Sequence, residues 1–229
     1  MGEKKKKEVA QKKWKKVLFV ILAVLFVVVM VVSSMGSNWI TGLAPVKAGE
    51  PVVVDYTVYD AAGNPVLTSN QQLYEKTLSG GKAVLYTRNL TVTANQSLKT
   101  AIYPIQVYVA SGGGSWEQFA LYNPEYNAIS SGVVGMRAGD KKTVPFNYSS
   151  SMSTLFSPDD LQRANLNTSA VEVGDPLVMG VSESPNATAS NTSVTYIRLG
   201  EVTRKSSSGI VVDFGYPYAE ITVLSFTKQ

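Results

Sequence analysis

The 229-residue chain contains neither cysteine nor histidine. Without cysteine there is no disulfide framework and no thiolate nucleophile, and without both residues there is no Cys/His zinc site. Without histidine there is no Ser-His-Asp triad. Chemistry has to come from carboxylates, hydroxyls, amides, apolar surfaces or Lys and Arg. No metal ligand set and no cofactor motif is legible. Ser79-Gly-Gly-Lys82 lacks the six-residue glycine spacing and the hydroxyl residue after lysine that a phosphate loop needs, and reads as a turn.

Basic charge is scarce outside the first residues. The formal charge of +4 averages two unlike pieces: eight of the 21 basic residues and two of the 17 acidic ones lie in residues 1–16, leaving 13 basic and 15 acidic residues from Val17 onward. A nucleic-acid surface needs basic residues spread over a folded face, so nucleic-acid binding is excluded as a reading of this composition.

Val17–Val32 is an uninterrupted apolar run, continued by Ser33, Ser34 and Met35. At about 1.5 Å per residue, 17–35 is close to the ~30 Å of a hydrocarbon core. The run is longer than the ~7–15 residues of a cleaved signal, and Lys15 and Trp14 abut it without a pilin-type glycine site. It therefore predicts an uncleaved anchor, a membrane partner through one helix. By the positive-inside rule the Lys-rich tail 1–16 is then cytoplasmic, and everything beyond a linker at 36–47 is extracytoplasmic. Six sequons fall on that side, at Asn89, Asn95, Asn147, Asn167, Asn186 and Asn191, and fit an exported surface that can be glycosylated.

From Ala48 the pattern is one of short β-branched and aromatic runs between Gly, Asn, Pro and Ser. Strands are expected at Val52–Tyr59, Ala83–Tyr86, Leu90–Thr93, Ile102–Val109, Lys142–Phe146, Leu177–Val181, Val194–Leu199, Ile210–Phe214 and Ile221–Phe226. Ile129, Val133 and Met136 share one face of a helix expected at Tyr126–Met136. A short second helix is expected after the capped start Ser157-Pro158-Asp159-Asp160. Ser111–Ser115, Ser206–Gly209 and Ser184–Ser193 read as loops.

Val52–Ser69 resembles the opening strand, glycine turn and return strand of FKBP-type prolyl isomerases. Ile129–Phe146 resembles their central helix, Gly-Met end and Gly-Asp-Lys-Lys turn, and Ile210–Ala219 is similar to the closing Val-Asp-Phe segment of the SlyD-like branch, which carries an insert-in-flap domain. The resemblance implies an α+β, mostly β fold: an FKBP-like antiparallel sheet around one short helix over 48–153 and 213–229, with an enlarged insertion at 70–124. A β-rich insert-in-flap domain would occupy 154–212, and one transmembrane helix would precede the whole. It also points to an archaeal source.

The family's substrate pocket maps onto Tyr56, Val66, Leu67, Tyr126, Ile129, Met152 and Leu224. Leu67 and Met152 stand where the family has Asp and Tyr, which removes a polar anchor and a donor to the substrate carbonyl. Each of these residues also reads as ordinary core packing. No acid, base or metal is required, because isomerisation needs only a dry hollow that favours a twisted amide over the planar one. The resemblance implies a membrane-anchored isomerase or chaperone whose partners are proline-containing or unfolded exported polypeptides. The alternatives are a non-catalytic surface domain with the same fold and a degenerate site, and a receptor-like module that binds through 70–124.

Overall fold

The computed structural model describes residues 18–31, 33, 44–110, 113–164, 166–182 and 196–227. The chain divides into two compact units, Met1–Ala44 and Pro45–Gln229. In the first, residues 18–31 form helix α1, exposed along its whole length. Residue 33 is helical as well. Among the described residues no helix is long and apolar enough to cross a membrane. The expected anchor over 17–35 is corrected accordingly, and with it the single-pass topology and the extracytoplasmic placement: the apolar composition is present, but the described residues hold no spanning helix. The Lys-rich tail lies outside the described residues, as do Asn186 and Asn191; Asn89, Asn95, Asn147 and Asn167 are exposed.

In the second unit, β1 (Pro51–Tyr59) forms because its side chains alternate. Val52, Val54, Tyr56 and Val58 point inward and are almost completely buried, while Val53 and Asp55 face the other way, half-exposed. β1 pairs antiparallel with β12 (Tyr218–Phe226) on one side, and with β2 (Pro65–Thr68) and β4 (Leu90–Thr93) on the other. Gly63, at φ 78°, closes the β1–β2 turn in a conformation that L side chains avoid. β7 (Lys141–Pro145) pairs with β12 at one end of the sheet.

Helix α2 (Gln71–Ser79) starts at Asn70, whose side chain accepts a hydrogen bond from the Leu73 backbone N–H. β2 then pairs in parallel with β3 (Leu85–Thr87), and β3 pairs with β5 (Ile102–Val109), which pairs with β6 (Ser115–Tyr122). Helix α3 (Asn123–Gly132) follows directly. It begins earlier than expected because Pro124 and Glu125 serve its first turn, with Glu125 Oε2 accepting from Tyr122 N at 2.7 Å. It stops before Met136 because Gly135 takes φ 81° and donates to the Val46 carbonyl. Helix α4 (Pro158–Arg163) has the expected Ser157 cap.

β6 meets β10 (Tyr196–Ser206) in a second parallel pairing at Phe119 and Ile197. β10 also pairs with β9 (Pro176–Val181) and with β11 (Gly209–Asp213), and β11 pairs with β8 (Ser153–Phe156). The result is one mixed, twelve-stranded curled sheet in the order β7-β12-β1-β2-β3-β5-β6-β10-β11-β8, with β4 and β9 off this path. With four helices in the described residues, this differs from the expected small antiparallel FKBP sheet around one short helix. The physical reason lies in 70–124. That stretch supplies α2, β3, β5 and β6, and its two parallel pairings join the early strands to β10 in one continuous sheet. Burial falls into two main clusters, a large one under β1, β12 and α3 and a smaller one of Leu161, Val171, Met179, Val202, Ile210, Val212 and Phe214.

Candidate functional site

The strongest electrostatic feature is a buried ion pair that the sequence reading missed. Arg198, on β10, and Glu125, on α3, are both fully buried. Arg198 Nη2 lies 2.6 Å from Glu125 Oε1 and Nη1 lies 3.0 Å from Oε2, a two-pronged contact. The guanidinium also donates to the carbonyls of Ala120 at 2.5 Å and Phe214 at 2.6 Å. The rings of Tyr122, Tyr216 and Phe119 surround it at 4.1, 4.6 and 5.2 Å from its central carbon. Tyr148 donates its hydroxyl to Glu125 Oε1 at 2.5 Å and accepts from Tyr216 N.

Burial works against the charge on Arg198, but the Glu125 carboxylate beside it holds its pKa above the usual arginine value. Burial raises the pKa of Tyr148 and Tyr216, and the Glu125 carboxylate adds to both shifts. This assembly fastens β10 and the 214–216 segment to α3. A lone arginine between Ile197 and Leu199 in an apolar strand was the signal that could have revealed it.

Beside that assembly lies a cleft of about 450 Å³. Its walls come from the Asp60–Asn64 turn and β2, from the Gly81–Ala83 loop after α2, and from β9, β10 and the Asp213–Tyr216 segment. Val66, Leu199 and Tyr216 give it a buried apolar floor. Tyr216 is held in place by its hydroxyl, which donates to the Leu199 carbonyl at 2.5 Å. Gly200 is required in this wall, since a Cβ there would meet Val212 Cγ1 at 2.5 Å and Phe214 Cδ1 at 2.7 Å.

The rim is polar. Asp60 accepts from the Asn64 backbone and side chain at 2.7 and 2.9 Å, Lys82 Nζ donates to Asn64 Oδ1, and Asp213 accepts from Gly215 N at 3.0 Å. The Glu201 side chain makes no hydrogen bond or ion pair with another described residue. Among the described residues no group of three or more carboxylates or other ligating side chains converges to hold a metal ion. The cleft can hold an apolar or weakly polar group away from water, with carboxylates at its mouth.

Of the residues mapped from the sequence, Val66 alone lines this cleft. Tyr56, Leu67, Tyr126 and Ile129 belong with Val66 to the large core cluster, at 1, 0, 7 and 0% exposure. Burial raises the Tyr56 pKa further above the ordinary tyrosine value than its hydrogen bond to Thr87 lowers it. Met152 is apart from them, on a shallow groove of about 340 Å³ with Tyr122, Pro124 and Tyr148. Leu224 is 45% exposed on β12. The structure therefore brings five of the seven together as packing, opens one of those to a cleft, and leaves two elsewhere.

A more polar groove of about 420 Å³ lies over the other face of β1. Its charges are largely committed: Lys141 pairs with Glu220 at 2.8 Å, Tyr59 donates to Glu220 at 3.1 Å, and Ser69 donates to Asp55. The hydrogen bond from Lys141, helped by Tyr59, lowers the Glu220 pKa. Burial, with Glu220 adding, pushes Tyr59 up to about 12.

Comparison of the chain with protein-family models finds no matching family, and comparison with curated proteins finds no matching sequence.

Proposed function

We propose that the Pro45–Gln229 body binds extended, proline-containing polypeptide segments in the cleft over Val66, Leu199 and Tyr216, and eases rotation about the X–Pro bond there. The observation that carries this reading is an open hollow with an apolar floor. Rotation faces a barrier of ~18–20 kcal/mol, and the twisted amide is less polar at nitrogen than the planar one. An apolar floor therefore favours the transition state over the ground state. A hundredfold acceleration requires only about 2.7 kcal/mol of such preference. The chemistry is consistent with a chain that has no histidine or cysteine.

Binding without catalysis is the second reading, and a specific observation favours it. The Tyr216 hydroxyl, a donor in the floor, is committed to the Leu199 carbonyl, and Tyr56, Leu67, Tyr126 and Ile129 are packed out of reach. Little then orients a substrate carbonyl.

A protease-coupled assay on a proline peptide separates the two, with Ala83→Trp as the variant because Ala83 is exposed at the cleft wall. Isomerisation above the uncatalysed rate that Ala83→Trp abolishes supports the first reading. An uncatalysed rate with suppressed aggregation of an unfolded client, again lost in Ala83→Trp, supports the second. If neither effect is seen, or if neither responds to Ala83→Trp, the cleft is not the site.

A further inference from the structure

The second feature of the 70–124 stretch is a row of rings on the outer face of the sheet. Tyr86 on β3 is in register with Tyr108 on β5, and Tyr108 is in register with Trp116 on β6. Their side chains touch: Tyr108 and Trp116 have centroids 5.7 Å apart at 58°, and Tyr86 and Trp116 are 6.4 Å apart at 62°. Tyr74, from α2, packs behind Tyr86 at 5.4 Å. Trp116 is 46% exposed, and Pro104, Gln106 and Gln118 on the same face are exposed as well. Three adjacent strands thus present aromatic rings to solvent where charged or small residues usually stand.

Three properties of this face define what it would accept. The rings are tilted against one another, so they leave V-shaped furrows and no flat platform. The Arg88 guanidinium lies over one face of the Trp116 ring, 5.4 Å from its centroid, which narrows the room for a flat sugar ring to stack. Among the described residues, the side-chain donors of the row have no hydrogen-bond partner: the Trp116 indole N–H, the Tyr86 and Tyr108 hydroxyls, and the Gln106 and Gln118 amides. The Tyr74 hydroxyl, buried behind Tyr86, is also without a partner. Arg88 has no carboxylate partner among the described residues.

We propose that this face is a docking site for a polyproline II segment that carries a carboxylate next to its prolines. A polyproline II chain has no internal hydrogen bonds, so its carbonyls need donors such as these, and its rings fit between tilted aromatic side chains. The charge of Arg88 selects an acidic flank and is already held over Trp116, so little side-chain order is lost on binding. The site is separate from the cleft and does not depend on the function assigned to it.

Calorimetric titration of the full chain with a synthetic oligoproline flanked by aspartates tests the proposal, with the same oligoproline flanked by lysines as the comparison. The expected result is saturable binding of the aspartate-flanked peptide, several-fold weaker binding of the lysine-flanked one, and a loss of at least about tenfold in Trp116→Ala. Arg88→Gln should leave the fold intact and bring the two peptides to the same affinity, and in Ala83→Trp, which blocks the cleft, the Trp116-dependent preference for the aspartate-flanked peptide should persist. The proposal is overturned if the aspartate-flanked peptide does not bind, or if it binds equally well to Trp116→Ala and Arg88→Gln. Trp116-dependent binding of a neutral oligosaccharide in place of the peptide would also overturn it.

Discussion

Removing the Glu125 carboxylate is the most revealing perturbation of this fold. In Glu125→Ala, Arg198 keeps its charge at 0% exposure and retains two carbonyl acceptors and three aromatic neighbours. It loses both prongs of its ion pair, and Tyr148 loses its acceptor. Breaking a buried pair by deleting one partner costs about 3–5 kcal/mol, because an uncompensated charge stays in a dry interior. In a domain of ~150–250 residues each kcal/mol lowers Tm by about 2–4 °C, so a fall of roughly 6–20 °C is expected.

Urea unfolding followed by far-ultraviolet circular dichroism gives the loss directly, with an unchanged m-value showing that the transition remains two-state. The double variant Glu125→Leu/Arg198→Met should be less destabilised than the sum of its single variants by about 2 kcal/mol or more, since it leaves no orphan charge. A loss under about 1 kcal/mol in Glu125→Ala, or strict additivity in the cycle, would refute the reasoning. Arg198 also fixes the Phe214 carbonyl, and Tyr216 is hydrogen-bonded to Leu199, so the same variant should loosen the cleft floor and weaken peptide binding.

Two further outcomes follow from burial. Ile129→Ala, at 0% exposure, should cost about 2–5 kcal/mol in the same assay, whereas Leu224→Ala, at 45% exposure, should change stability by less than about 0.5 kcal/mol and leave peptide binding intact; the reverse order would show that the β12 register is misassigned. Tyr59 has a folded pKa raised to about 12, above the free value of about 10. Its protonated form therefore stabilises the fold below pH ~10, and that contribution is lost as pH rises toward 12. Tyr56, Tyr148 and Tyr216 are shifted in the same direction. Absorbance titration of phenolate should show a class of tyrosines that ionise only as the fold is lost, and uniform titration near pH 10 would contradict the burial described.

The strands were the most legible part of this molecule. Val52–Tyr59 is an alternating β-branched run, and alternation survives any tertiary context in which one face is buried. Ser157 with Asp160 marked a helix start for equally local reasons. Helix α2 was not legible: Gln71–Ser79 has a weak apolar face, and its signals are an Asn cap before it and the Gly80-Gly81 pair after it. The sheet order was hidden because it depends on two parallel pairings, β2 with β3 and β6 with β10, and non-local register leaves no periodic mark.

The site was legible only in part. Val66 lines the cleft, but Leu67, one residue on, points into the core, because neighbouring strand residues face opposite sides. Leu199, Gly200 and Glu201 reach the cleft through the same hidden pairing, and Arg198 finds Glu125 across 73 residues of sequence. The apolar run after Lys16 shows the limit of composition: its hydrophobicity is visible in the letters, but among the described residues no spanning helix accompanies it.

The measurement that tests the central claim most directly is nuclear magnetic resonance mapping of a proline peptide on the isotope-labelled protein. The account predicts that backbone amide shifts concentrate at Val66, Lys82, Leu199, Gly200 and Tyr216, the residues around the cleft, and vanish in Ala83→Trp. Shifts centred instead on Met152 or Leu224, or a spectrum unmoved at saturating peptide, would contradict it.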